Sequence, residues 1–196
     1  MKTHTRSDLA APRRTTLVTK EDLMHYHDPE RIGSYCRSCD KYGVFWSCPP
    51  FAVSPLSVFP EWTHAVIVCQ KTQLEAGTTK EQLISRFLDS RLGFANYMQR
   101  LEARGHLVTA LVAGHCSCCE TCTRPLGKAC CKPKGLRYSL EAVGFDVTSL
   151  AEGLTKQKVH WPKSGIPEYL MTVGALLCPS KSMGEELCEE GEAGSS

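Results

Sequence analysis

The sequence predicts an α/β or α+β domain: a small sheet that contains a βαβ unit, together with two cysteine-rich loops. Three observations predict it. The run Ala65-Val66-Ile67-Val68 is continuous, apolar and largely β-branched, as a buried strand requires. Residues 78–104 bring Ile84, Phe87, Leu88, Ala95, Met98 and Leu101 near helical spacing, behind a Thr79/Gln82 capping box. Residues 107–113 form a second apolar strand after Gly105, which offers a left-handed helix stop. Strand, long helix and strand make the βαβ unit, with an expected right-handed crossover.

The other elements follow in order. Residues 1–14 carry Lys2, Arg6, Arg13 and Arg14 with several threonines, and read as a disordered lead-in. The single domain is expected over residues 15–179, beginning with a strand at 15–20. Residues 21–31 read as a short helix or turn, broken by Pro29 and ended near Gly33. Residues 36–50 form a loop, because Gly43 and Pro49-Pro50 exclude regular structure, and residues 115–133 form a second. A short helix at 138–143 stops at Gly144, and another follows with Ser149 and Glu152 as its capping box. Residues 168–178 give a last strand, and residues 180–196 read as an acidic, disordered tail.

Composition narrows the function. A formal charge of +2 excludes a strongly basic nucleic-acid coat. No window reaches the roughly 18 apolar residues that span a membrane. The first 20 residues show no apolar run of a secretory signal, so the expected compartment is the reducing cytoplasm. Twelve of 196 residues are cysteine, and without them the hydrophobic share falls from 42% to about 36%, thin for a core of this size. In a reducing compartment clustered cysteines read as metal ligands rather than disulfides, and here the metal would help to hold the fold.

The second loop is the more informative. Cys116, Cys119 and Cys122 recur every three residues, and Cys130 follows with Pro133 close behind. A C-x2-C-x2-C run folds around one cubic iron–sulfur cluster, and a more distant cysteine near a proline completes it. Structural zinc takes its cysteines as two separated pairs, so zinc is the alternative. Cys118 and Cys131 each adjoin a proposed ligand and read as spare thiols, although Cys131 for Cys130, or Cys118 with Cys122, are open choices.

The first loop offers Cys36, Cys39 and Cys48, with Tyr42, Phe45 and Trp46 between them as an apolar lid over a cluster. Only three cysteines are local. Either one iron stays open for a substrate, or a fourth ligand comes from Cys69, Cys178 or His64, each of which also reads as an ordinary core or strand-end residue. One site shared by both loops is a further alternative. Cys188 reads as inert.

Arg124, Lys128, Lys132, Lys134 and Arg137 crowd the second loop, where they could raise a cluster's potential or dock an acidic electron carrier. A nucleic-acid partner is disfavoured, since aromatics do not interleave with these charges. His25 and His27 read as surface groups beside a turn, and no phosphate-binding or nucleophile-elbow motif occurs. Glu141 and Asp146 flank Gly144 and are placed to contact the cluster loop.

The segments CRSCDKYGVFWSCPPF, CSCCETCTRPLGKACCKP and GLRYSLEAVGFDV together resemble a family described as predicted metal-binding proteins, the domain of unknown function 2284, over residues 31–147. The resemblance implies Cys36, Cys39, Cys48, Cys116, Cys119, Cys122 and Cys130 as ligands, in cytosolic proteins of anaerobic or facultative microbes. It implies no reaction.

The expected function is therefore an iron–sulfur protein, with one or two [4Fe–4S] clusters, that carries electrons or assists a redox enzyme in anaerobic metabolism. Three rivals are a zinc-stabilised interaction module without redox activity, an iron–sulfur enzyme with an open iron, and a metal-free thiol redox protein.

Overall fold

The structure is a computed structural model that describes residues 12–159 and 165–193. Most of the lead-in expected at residues 1–14 lies outside the described residues, but its last two residues already belong to the sheet. Strand β1 runs Arg13–Thr19, and Arg13 is buried. Helices α1 (Lys20–Met24) and α2 (Pro29–Arg37) follow. The sequence reading took Pro29 as a breaker. It is instead the first residue of α2, where a missing N–H costs nothing, and Asp28 caps the helix by accepting from the Arg31 amide at 3.1 Å. Cys36 consequently sits in the last turn of α2 rather than in a loop.

Strand β2 (His64–Gln73) leads to the long helix α3 (Lys80–Glu102), which starts with the expected capping box at Thr79 and Gln82. Strand β3 (Thr109–Leu111) is short. The left-handed residue after α3 is Leu107, at φ 57°, and not Gly105. Gly105 is required for space, since a Cβ there would lie 2.3 Å from Val108 Cγ2. Residues 138–143 form a turn rather than a helix. Helix α4 (Val147–Thr155) is capped by Asp146, which accepts from the Ser149 amide at 3.1 Å, so the expected cap at Ser149 is displaced by three residues. Strand β4 (Tyr169–Cys178) precedes helix α5 (Lys181–Ala193).

The four strands form one antiparallel sheet in the order β1-β2-β4-β3. Both β2 and β3 run against β4, so they are parallel to each other with β4 between them. The βαβ unit is thus present but split. Side chains alternate across the sheet. Ala65, Ile67, Cys69, Val173, Ala175 and Leu177 face a core closed by α1, α4 and the 139–146 turn, with Leu23, Leu140, Phe145 and Leu150. Val66, Val68, Leu176 and Cys178 face a second core closed by α3 and α5, with Phe94, Met98, Leu101 and Leu187. The acidic composition of residues 180–196 suggested disorder. Over 181–193 the chain is helical instead, because Leu187, 2% exposed, gives that segment an apolar side to bury.

Among the described residues no helix is long and apolar enough to cross a membrane.

Candidate metal centre

The first cysteine group is positioned by α2. Its start is locked onto the 139–146 turn: the Asp28 amide donates to Gly144 O at 2.9 Å, His27 Nε2 lies 3.0 Å from Val143 O, and Arg31 Nη2 donates to Asp146 at 2.7 Å. Gly144 permits this approach. Its φ is +97°, and a Cβ there would meet Pro29 Cβ at 2.9 Å. Two turns along α2, Cys36 Sγ reaches Glu141 O at 3.9 Å. Beyond the helix, the Cys39 amide donates to Cys36 O at 3.1 Å, and the Lys41 amide points at Cys39 Sγ at 3.5 Å, a knuckle of the kind that stabilises thiolate. Gly43 pairs with Pro49 O at 2.8 Å and brings Cys48 back towards the other two. Burial, then the charges of Glu141 and Cys39, raises the Cys36 pKa. Burial pushes Cys48 up to about 11, with Cys39 and Cys36 contributing.

The second group leaves β3 and lines an open cleft. Six thiols line it, those of Cys116, Cys118, Cys119, Cys122, Cys130 and Cys131. Cys118 Sγ donates to Gly135 O at 2.9 Å, and burial followed by the neighbouring Cys116 raises its pKa to about 11. Cys119 Sγ lies 3.3 Å from Cys131 Sγ, and this contact, ahead of burial, raises the Cys119 pKa. The sequence reads Cys131 as a spare thiol, with its substitution for Cys130 left open. Adjacency to Cys130 argued for that, and nothing in the spacing showed that Cys131 turns back onto Cys119.

The two loops interlock. Phe45 and Trp46 of the first loop line the cleft of the second, so two of the three expected aromatics stand beside the other loop's sulfurs; Tyr42 is not among the lining residues. The Cys116 amide donates to buried Ser47 Oγ at 2.8 Å, and Trp46 Nε1 donates to Lys128 O at 3.2 Å. Arg124 donates to the carbonyls of Phe45, Cys48 and Pro50 and lies over the Trp46 ring. The His115 ring packs on Phe45 at 4.2 Å between centroids. Burial, then the Arg91 and Lys41 charges, pulls its pKa down to about 4, so its imidazole is neutral at pH 7.

Other expectations are resolved by position. Cys69 lies in the first core, 3.4 Å from Thr155 Oγ1, and Cys178 in the second, where burial and then Cys188 lift its pKa to about 12. His64 sits at the edge of β2, opposite Thr19 and Cys178. None of the three stands at the first cysteine group. What stands there is Glu141. Its residue keeps some exposure but its carboxyl is desolvated, which raises its pKa against hydrogen bonds from its own backbone and Ser139. Arg137 is paired with Glu102 of α3 and Lys132 donates to Cys118 O at 2.9 Å within the second loop, while Arg124 joins that loop to the first.

The donors fit a thiophilic metal: the cleft offers sulfur, with neither carboxylate nor imidazole lining it. Among the described residues no three Cys, His, Asp or Glu side chains converge on one metal position. Neither a curated protein nor a solved structure matches the chain. A family model described as "Predicted metal-binding protein (DUF2284)" matches residues 23–178, from α1 to the end of β4, and takes in both cysteine groups. With most of its length matched, the chain belongs to this family of predicted metal-binding proteins.

Proposed function

We propose that the chain binds an iron–sulfur cluster of the [4Fe–4S] type in the cleft between the loops, and that it carries electrons or assists a redox enzyme. The observation that supports this reading most is the lining of the cleft, six thiols beside Phe45 and Trp46. A cube and a structural zinc each take four thiolates, so number does not separate them, but the C-x2-C-x2-C run suits a cube better than the two separated pairs that zinc takes. Cys116, Cys119, Cys122 and Cys130 are the ligands, with Cys131, against Cys119, as the alternative to Cys130. Cys36, Cys39 and Cys48 form a second centre.

A bound cluster would supply one-electron exchange. The protein supplies the rest. Phe45 and Trp46 place apolar surface beside the sulfurs, and Arg124 fixes the loop that carries them. Lys128, Lys132 and Lys134 are exposed and offer positive charge to an acidic electron carrier. The thiols require a reducing compartment, and the cytosol meets that requirement.

Purification without oxygen tests the reading. The expected product holds iron and sulfide and absorbs broadly near about 400 nm. Cys119→Ser should lose that absorption and melt at lower temperature, since metal binding of this type supplies on the order of 10 kcal/mol of folding free energy. Colourless protein with stoichiometric zinc would establish a zinc-stabilised module instead. Protein free of both metals, with all its thiols titratable, would end the metal reading.

A further inference from the structure

The second loop doubles back on itself. Between residues 119 and 131 it passes through a single 3-10 turn at Arg124–Leu126 and reverses at Gly127, whose φ of 66° is left-handed. The neck of this excursion is tied twice. Thr123 Oγ1 donates to Ala129 O at 2.8 Å, and the Lys128 amide donates to Thr123 O at 3.3 Å. The ends are thereby brought together, as in a compact surface loop closed at its base. At that base stand Cys119 and Cys131, with their sulfurs 3.3 Å apart. A small rotation of either side chain closes that distance to a bond of about 2.05 Å.

Access is the second observation. Cys131 is exposed and Cys119 half-buried, so a small oxidant reaches the pair from solvent. The neighbouring thiol competes poorly, because Cys118 Sγ is directed at Gly135 O at 2.9 Å. Disulfides in a reducing compartment are characteristically transient and redox-sensing, and a pair of accessible thiols in contact suits that use.

We propose that Cys119 and Cys131 of the metal-free chain form a reversible disulfide on meeting a hydroperoxide, and that this bond closes the cleft to metal. The bond rests on the contact of the two sulfurs; its effect on metal rests on the reading of Cys119 as a ligand. Cys131, the exposed thiol, attacks the peroxide O–O bond as thiolate and becomes a sulfenic acid, and hydroxide leaves and takes up the thiol proton as water. The Cys119 sulfur then attacks the sulfenic sulfur, and the hydroxyl departs with the Cys119 proton as a second water. Two thiols give up two electrons to one peroxide, which is reduced to those two waters.

The test uses the full chain, freed of metal by a chelator, reduced and held without oxygen. One equivalent of hydrogen peroxide should remove two of its twelve titratable thiols, and digestion without reductant should yield a cross-linked peptide that joins Cys119 to Cys131. Cys131→Ser should consume the peroxide more slowly by about tenfold or more. Oxidised wild type should take up no more zinc than reduced Cys119→Ser does, and a dithiol should restore the difference. A cross-link at other cysteines, peroxide consumption by Cys131→Ser at the wild-type rate, or zinc uptake unchanged by the bond where Cys119→Ser lowers it would each overturn the proposal. Equal zinc uptake by reduced wild type and reduced Cys119→Ser, with the cross-link still formed, would instead end the reading of Cys119 as a ligand and leave the disulfide standing.

Discussion

Arg124 commits its guanidinium to three carbonyl oxygens of the first loop, those of Phe45, Cys48 and Pro50, and lies over Trp46 as well. Hydrogen bonds from a charged donor contribute about 1.5–3 kcal/mol each when well buried, and this site is part-exposed and shared. Arg124→Ala should therefore lower the unfolding free energy by about 2 kcal/mol in a denaturant titration and speed hydrogen exchange over residues 45–50. Lysine should recover little, since one ammonium cannot reach three acceptors in a planar fork. Identical denaturation curves would show that the clamp is ornamental. The sequence presented Arg124 only as one of several cations beside cysteines. Its partners lie 74–79 residues away, and nothing local announces them. Glu141 was legible in part: its segment reads as a short helix and is a turn, but its contact with a cysteine loop was expected, and its carbonyl stands 3.9 Å from Cys36 Sγ. What the spacing could not show was which group of cysteines it would face.

At the scale of elements, α5 shows how composition misleads. Its five glutamates suggest a solvated tail, yet Leu187 reaches the second core, and Gly184 lets the helix lie on β1, where a Cβ would come 2.4 Å from Leu17 Cδ1. Leu187→Ala should cost about 2–5 kcal/mol, read by thermal or chemical unfolding. Metal content in Leu187→Ala and in Cys188→Ser should match wild type, since α5 does not line the cleft. Helix α3 was read well at its start and less well along its face. Its amphipathic spacing continues through Ile84, Phe87, Leu88 and Leu92, but these remain exposed while Phe94, Met98 and Leu101 are buried. Periodicity reports which side of a helix is apolar, not how much of that side a short sheet covers.

For the whole molecule, sulfur chemistry and folding are linked through protons. Burial and neighbouring groups hold the protons of Cys36, Cys48 and Cys119 more tightly than a free thiol does, with Cys48 at about 11. Near neutral pH a metal must displace those protons, so affinity rises with pH and falls on acidification. Competition titrations with zinc at pH 6.5 and 7.5 should show at least about tenfold tighter binding at the higher pH, one proton or more released per metal. Affinity independent of pH over that interval would mean that the bound form uses few of these thiols. The strand order was the least legible feature. The central runs of β2 and β4 and the short β3 are all apolar, so alternation could not tell which pairs with which, and the split of the βαβ unit follows from pairing alone.

That split has a consequence for synthesis on the ribosome. Strand β4 is the wedge that joins β3 to β2, and it is translated after both cysteine groups. About 40 residues separate Cys130 from Tyr169, some 2–8 s at roughly 5–20 residues per second. For those seconds the thiols of both groups have all been made but are tethered to an unfinished platform, and only the arrival of the wedge completes it.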